Sequence, residues 1–122
     1  MKVEISKATV DDIITKLSQG DNIRAGFLMG KKEGNQVIVE GVYVPKQENT
    51  TYSATIAKEE QKKAFEAIKA AGKEVVGFAQ YNGNFKPFES LTNMATLERL
   101  SQLGMPKVGL IVNANGDYKL FP

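Results

Sequence analysis

The chain contains no cysteine and no histidine. The first absence excludes a disulfide framework, and the two together exclude a zinc site of the usual nitrogen and sulfur kind. Neither a Ser-His-Asp nor a Cys-His relay can be assembled, and no imidazole is present to shuttle a proton. Long apolar runs are also missing. Runs such as Gly109 to Val112 fall far short of the roughly 20 residues a membrane-spanning helix needs. The first residues, MKVEISKATVDD, hold no apolar core of a signal peptide. With no cysteine, this favours a cytoplasmic location. Charge of one sign is not in excess: sixteen Lys and Arg stand against fourteen Asp and Glu, a net charge of +2. The charges alternate along the chain and form no basic stripe, which argues against a nucleic-acid partner.

What is present suits one soluble domain spanning residues 1–122. Hydrophobic residues make up 42% and charged residues 25% of 122 residues, the balance of an ordinary globular protein with one core. There is no internal repeat. Proline occurs four times, and Pro45, Pro87 and Pro106 fall where the apolar patterning breaks.

Periodicity sketches the elements. Met1 to Ile5 reads as a strand. Thr9 is a candidate N-cap, with Asp11 and Asp12 in the first turn of a helix carrying Val10, Ile13, Ile14 and Leu17 and ending at Gly20. Ile23 to Gly30 reads as a strand, 31–35 as a hairpin loop, and Gln36 to Val44 as a central strand, since both its faces are apolar. Residues 45–52 read as a polar loop. Lys58 to Ala71 is a helix burying Ala57, Ala64, Ile68 and Ala71, with Phe65 at the flank, Glu59 and Lys63 as a favourable pair, and Gly72 at the end. Glu74 to Tyr81 is a strand. Ser90 caps a third helix running to Leu103, with Met94, Leu97 and Leu100 as its stripe. Lys107 to Asn113 and Tyr118 to Phe121 are strands joined at Asn115-Gly116, a strong hairpin signal. The hairpins and helical crossovers together predict an α/β (α+β) fold, a mixed sheet flanked by helices.

The segment Gly77 to Asn93, GFAQYNGNFKPFESLTN, carries the functional information. It resembles the metal-binding stretch of the MPN (JAMM) domain family, Gly-Trp-Tyr-His-x-His-Pro-Gly-Phe, whose ligands are spaced H-x-H-x7-S-x2-D. Gln80 and Asn82 stand at the two His positions, Ser90 at the Ser position and Asn93 at the Asp position. Gly77, Phe78 and Phe85 match the flanking Gly, Trp and Phe. Upstream, the family places its general base in E-x-x-G-x-x-x-G; Gly26 and Gly30 match the glycines, and Ile23 stands where the Glu would be. The order of elements is similar over nearly the whole chain. The resemblance implies an MPN/cytidine-deaminase-like architecture.

It also implies lost chemistry. Active members are zinc isopeptidases, which use two imidazoles and a carboxylate to hold Zn²⁺, a Glu to take a proton from its bound water, and a Ser to support the oxyanion. Here amides replace the ligands and isoleucine replaces the base, so no catalytic residue set, metal or cofactor is expected. Amides both donate and accept, so Gln80, Asn82 and Asn93 are expected to form a neutral hydrogen-bonded cluster. Ser90 is also read simply as a helix N-cap. Metal-free members of the family generally act as scaffolds. The expected function is therefore a non-catalytic protein-interaction module, a pseudoenzyme that pairs with a catalytic MPN subunit or with itself as a dimer. The helix faces Val10 to Leu17 and Met94 to Leu103 are candidate contacts, although each of their residues taken alone is better read as core. Two alternatives stand beside it. One is a groove that binds a ubiquitin-like tail or other extended peptide as an added strand. The other is a hydrolase with a rebuilt site using Glu89, Glu40 or Glu48. Residues Asn113 to Asp117 lack the spaced acids of a calcium loop and are read as a turn.

Overall fold

The computed structural model describes residues 2–18, 22–50, 54–83 and 108–121. The first strand, β1 (Lys2–Ile5), leads into helix α1 (Lys7–Leu17). Ser6 caps this helix, its Oγ accepting from the Thr9 amide at 3.1 Å, and the two hydroxyls lie 2.9 Å apart. The cap thus sits three residues before the expected Thr9, which instead occupies the third helical position. Asp11 and Asp12 are displaced from the first turn as a result, and Asp12 pairs with Lys16 at 3.0 Å.

Strand β2 (Arg24–Glu33) turns into β3 (Gln36–Tyr43) through Gly34, whose φ of +60° suits glycine. β2 runs past the expected end at Gly30, because Lys31, Lys32 and Glu33 keep pairing with β3 where both faces are wet. The 45–52 stretch is not wholly loop. It contains β4 (Glu48–Asn49), which pairs antiparallel with β5 (Ala54–Thr55). Helix α2 (Lys58–Ala70) follows. Its N-cap, Ala57, has no side chain to offer, and Glu59 and Glu60 in the first turn complement the helix dipole. At the other end Gly72, at φ +76°, donates to the Lys69 carbonyl and Lys73 to that of Ile68, a Schellman closure. The buried face of α2 is narrower than expected: Ala64 and Ile68 are enclosed, whereas Ala57 and Ala71 are exposed. Lys63 pairs with Glu60 at 3.3 Å rather than with Glu59. Strands β6 (Glu74–Tyr81), β7 (Val108–Val112) and β8 (Tyr118–Phe121) complete the described elements. The third helix predicted over 90–103 lies outside the described residues.

Six strands form one mixed sheet in the order β1-β3-β2-β6-β7-β8, with β1·β3 and β6·β7 parallel and the other pairs antiparallel. β3 is an interior strand, as its two apolar faces predicted. α1 packs on one face, where Ile13 and Leu17 meet Leu28, Val37, Val39, Val42, Val76, Leu110 and Val112. α2 packs on the other, where Ala64 and Ile68 meet Ala25, Phe27, Val75 and Phe78. Phe27 stands edge-on to Phe65 (5.0 Å between centroids) and to Phe78 (6.0 Å), the geometry ring quadrupoles favour. The described fold is therefore mixed α/β, a sheet with a helix on each side.

Two bulges flank the middle of β2. Glu40 is the extra residue on β3, and Val76 the extra residue on β6. The second lets Val75 face α2 while Val76 faces α1. Close backbone approach at these irregularities requires glycine. A Cβ on Gly30 would sit 1.9 Å from the Ile38 carbonyl oxygen, and one on Gly77 2.0 Å from that of Val108.

Candidate functional site

The register of β2 against β6 determines which side chains meet. Arg24 faces Tyr81 and Ala25 faces Gln80; one further step along the same register sets Ile23 opposite Asn82. Ala25, Phe27 and Phe78 belong to the α2-side cluster. Because side chains alternate along a strand, Ile23, Gln80 and Asn82 share that face. Ile23, far from the other two in sequence and matched with them by spacing alone, thus lies on their face at one end of the sheet.

Gln80 and Asn82 are buried, at 6% and 4% exposure, and bond directly: Gln80 Nε2 donates to Asn82 Oδ1 at 2.7 Å. The bond joins two of the three amides expected to cluster, the third being Asn93. Ile23, 8% exposed, is fixed through its backbone. Its amide donates to the Thr50 carbonyl at 2.9 Å, and its carbonyl accepts from Asn49 Nδ2 at 2.8 Å. Ser90 and Asn93, together with Phe85, Phe88 and Glu89, lie outside the described residues.

A third buried amide adjoins the pair, at the position read from sequence as the end of a strand and the start of a turn. Asn113 is 1% exposed. The β6·β7 pairing matches Gln80 to Ile111 and Tyr81 to Val112, and it continues through Asn82 N–H to the Val112 carbonyl and Ala114 N–H to the Gly83 carbonyl. Asn113 therefore follows beside Asn82 on the same face. Its own amide is turned to local work: Oδ1 accepts from the amides of Asn115 (3.0 Å) and Asp117 (2.9 Å), and Nδ2 donates to Asp117 Oδ2 at 3.2 Å. The signal available in the sequence was an Asn two residues before the Asn-Gly turn, at the inward parity of an otherwise apolar strand.

Among the described residues, these three amides are the buried polar side chains, and none carries a charge. No group of three or more His, Cys, Asp or Glu is placed to hold a metal ion among them. The donor chemistry does not fit zinc either. Neutral amides bind it poorly, Gln80 presents an N–H rather than a lone pair to its neighbour, and the Asp117 carboxylate beside Asn113 is engaged with that amide. Glu40 and Glu48 belong to other surroundings. Glu40, on the β3 bulge, pairs with Lys73 at 3.3 Å. Glu48 lines a cleft of about 360 Å³ together with Lys46, Gln47, Thr55, Ala57, Glu59 and Glu60.

The apolar stripe of α1, considered as a contact surface, is instead enclosed: Val10, Ile13 and Leu17 are all buried beneath the sheet face. Among the described residues the exposed large hydrophobic side chain is Tyr118 on β8, at 52%. No described helix is long and apolar enough to cross a membrane. No family model matches the sequence, and no curated protein matches it.

Proposed function

We propose that the chain is a non-catalytic protein-interaction module, built on an MPN-like frame whose zinc isopeptidase site is replaced by hydrogen-bonded amides. The observation that carries this reading is the buried Gln80–Asn82 bond at 2.7 Å. It stands at the positions where the resemblance puts the metal-binding imidazoles, and it shares a sheet face with Ile23, where the resemblance puts the general base. A hydrogen bond between two amides needs no ion, and isoleucine accepts no proton. With α1 closed onto the sheet, the partner surface is sought elsewhere, and Tyr118 on β8 is a starting point. The partner is a catalytic MPN subunit or a second copy of the chain.

Native mass spectrometry with and without added Zn²⁺ tests this. The unmodified chain should hold no zinc. The variant Ile23→Glu, Gln80→His, Asn82→His, Asn93→Asp, which restores the family's base and ligands, should hold one zinc per chain. Tight zinc binding by the unmodified chain would overturn the non-catalytic reading. Failure of a folded fourfold variant to bind would overturn the resemblance itself.

A further inference from the structure

β3 leaves the side of β2 at Tyr43, opposite Phe27. Beyond that point, Ala25 and Ile23 still direct backbone groups toward the space β3 vacates. Side chains fill the ladder there. Gln47 Oε1 accepts from the Ala25 amide at 2.8 Å, and Gln47 Nε2 donates to the Ala25 carbonyl at 2.7 Å. One side-chain amide thus imitates the peptide unit of a paired strand. Gln47 Nε2 also donates to the Pro45 carbonyl (2.9 Å), and its Oε1 accepts from Asn49 Nδ2 (2.9 Å). Two donor hydrogens and two acceptor sites are all used. Both donor hydrogens of Asn49 are engaged as well, since its Nδ2 serves Gln47 Oε1 and the Ile23 carbonyl. Its own carbonyl accepts from Asn22 Nδ2 at 3.3 Å, and Thr50 closes the series by accepting from the Ile23 amide.

We propose that Gln47 and Asn49 form a side-chain latch, holding residues 45–50 on β2 as a surrogate strand that closes and opens as one unit. Every bond in the network crosses between this strap and residues 22–25 or joins two members of the strap, so losing one anchor loosens the others. Opening has two structural consequences. It releases the backbone of Ile23 at one end of the amide row, and it moves Lys46, Gln47 and Glu48, which form one wall of the cleft facing the start of α2. The latch does not depend on the functional reading above.

Amide hydrogen exchange by NMR on the full chain tests it, using Gln47→Glu and Asn49→Ala. Gln47→Glu keeps an acceptor for the Ala25 amide and removes both donors, leaving a carboxylate against two carbonyls. The Ile23 amide, whose acceptor on Thr50 is untouched, should nevertheless exchange about tenfold faster or more. Asn49→Ala leaves the Gln47 acceptor intact and should still accelerate Ala25. An unchanged Ile23 amide in the first variant, or an unchanged Ala25 amide in the second, would overturn the unit. Equal acceleration of the Val37 and Leu110 amides would also overturn it, by showing global loosening rather than a local strap. If Gln47→Glu does not fold, Asn49→Ala alone decides the matter through Ala25.

Discussion

Replacing the amide pair one member at a time should reveal how strongly it is coupled. Gln80 and Asn82 are buried, neutral, and joined by a short bond. Gln80→Met keeps the side-chain length and removes the donor to Asn82 Oδ1. Asn82→Leu removes the acceptor. Each single change strands a buried polar partner, which costs about 2 kcal/mol. The double change strands nothing at this bond and converts the pair into an apolar contact on a face already lined by Ala25, Phe27 and Phe78. It should cost about 2 kcal/mol or less, a departure from additivity of about 2 kcal/mol. For 122 residues the unfolding entropy is about 0.26 kcal/mol/K, so each single variant should melt about 8 °C lower, and the double variant no lower than either. Thermal melts followed by circular dichroism, with urea titration as a second probe, supply the four stabilities of the cycle. Additivity within about 0.5 kcal/mol would show that the two amides do not depend on each other, and the self-satisfied pair would have to be abandoned.

Two further predictions concern the frame. Gly30→Ala and Gly77→Ala should each lose more than about 3 kcal/mol by urea unfolding, because the new methyl would lie 1.9 or 2.0 Å from a neighbouring carbonyl oxygen. Gly34→Ala, with open space around it but φ of +60°, should lose only about 1–2 kcal/mol; equal losses at all three sites would contradict the close-approach reading. Asn113→Ala removes both carboxamide acceptor bonds of the β7–β8 turn and should cost about 2 kcal/mol, whereas Asn115→Ala, on an exposed side chain, should stay within about 0.5 kcal/mol. A similar thermal shift for the two would refute the role given to Asn113.

The sequence disclosed those elements whose boundaries are chemical. β3 ends before Pro45, α2 before Gly72, and β7 and β8 meet at Asn115-Gly116, so alternation between such marks was enough to locate them. It misled at the start of α1. Ser6 and Thr9 are both good caps, and the two aspartates pulled the choice to Thr9, whereas the cap hydrogen bond runs from Thr9 back to Ser6. The candidate site was legible where it rests on spacing. Gln80 and Asn82, two apart on β6 and its extension, share a face. Asn113 escaped notice because its nearness to Asn82 depends on which strands are neighbours. The role of Gln47 left no trace at all: a side chain that replaces a backbone partner across 22 positions produces no periodicity, and the stretch around it reads only as polar.

Strand length falls from the middle of the sheet to its margins. β2 has ten residues and β3 and β6 have eight, while β1 and β8, at the two ends of the order, have four each. Among the described strands the longest, β2, lies between β3 and β6, and β1 and β8 at the margins each offer only a brief row of backbone groups. A newcomer adding itself as a strand on β1 or β8 would find at most four residues to pair with. For the interaction module proposed above, such margins favour recognition by side chains over main-chain pairing, which would accept any extended segment.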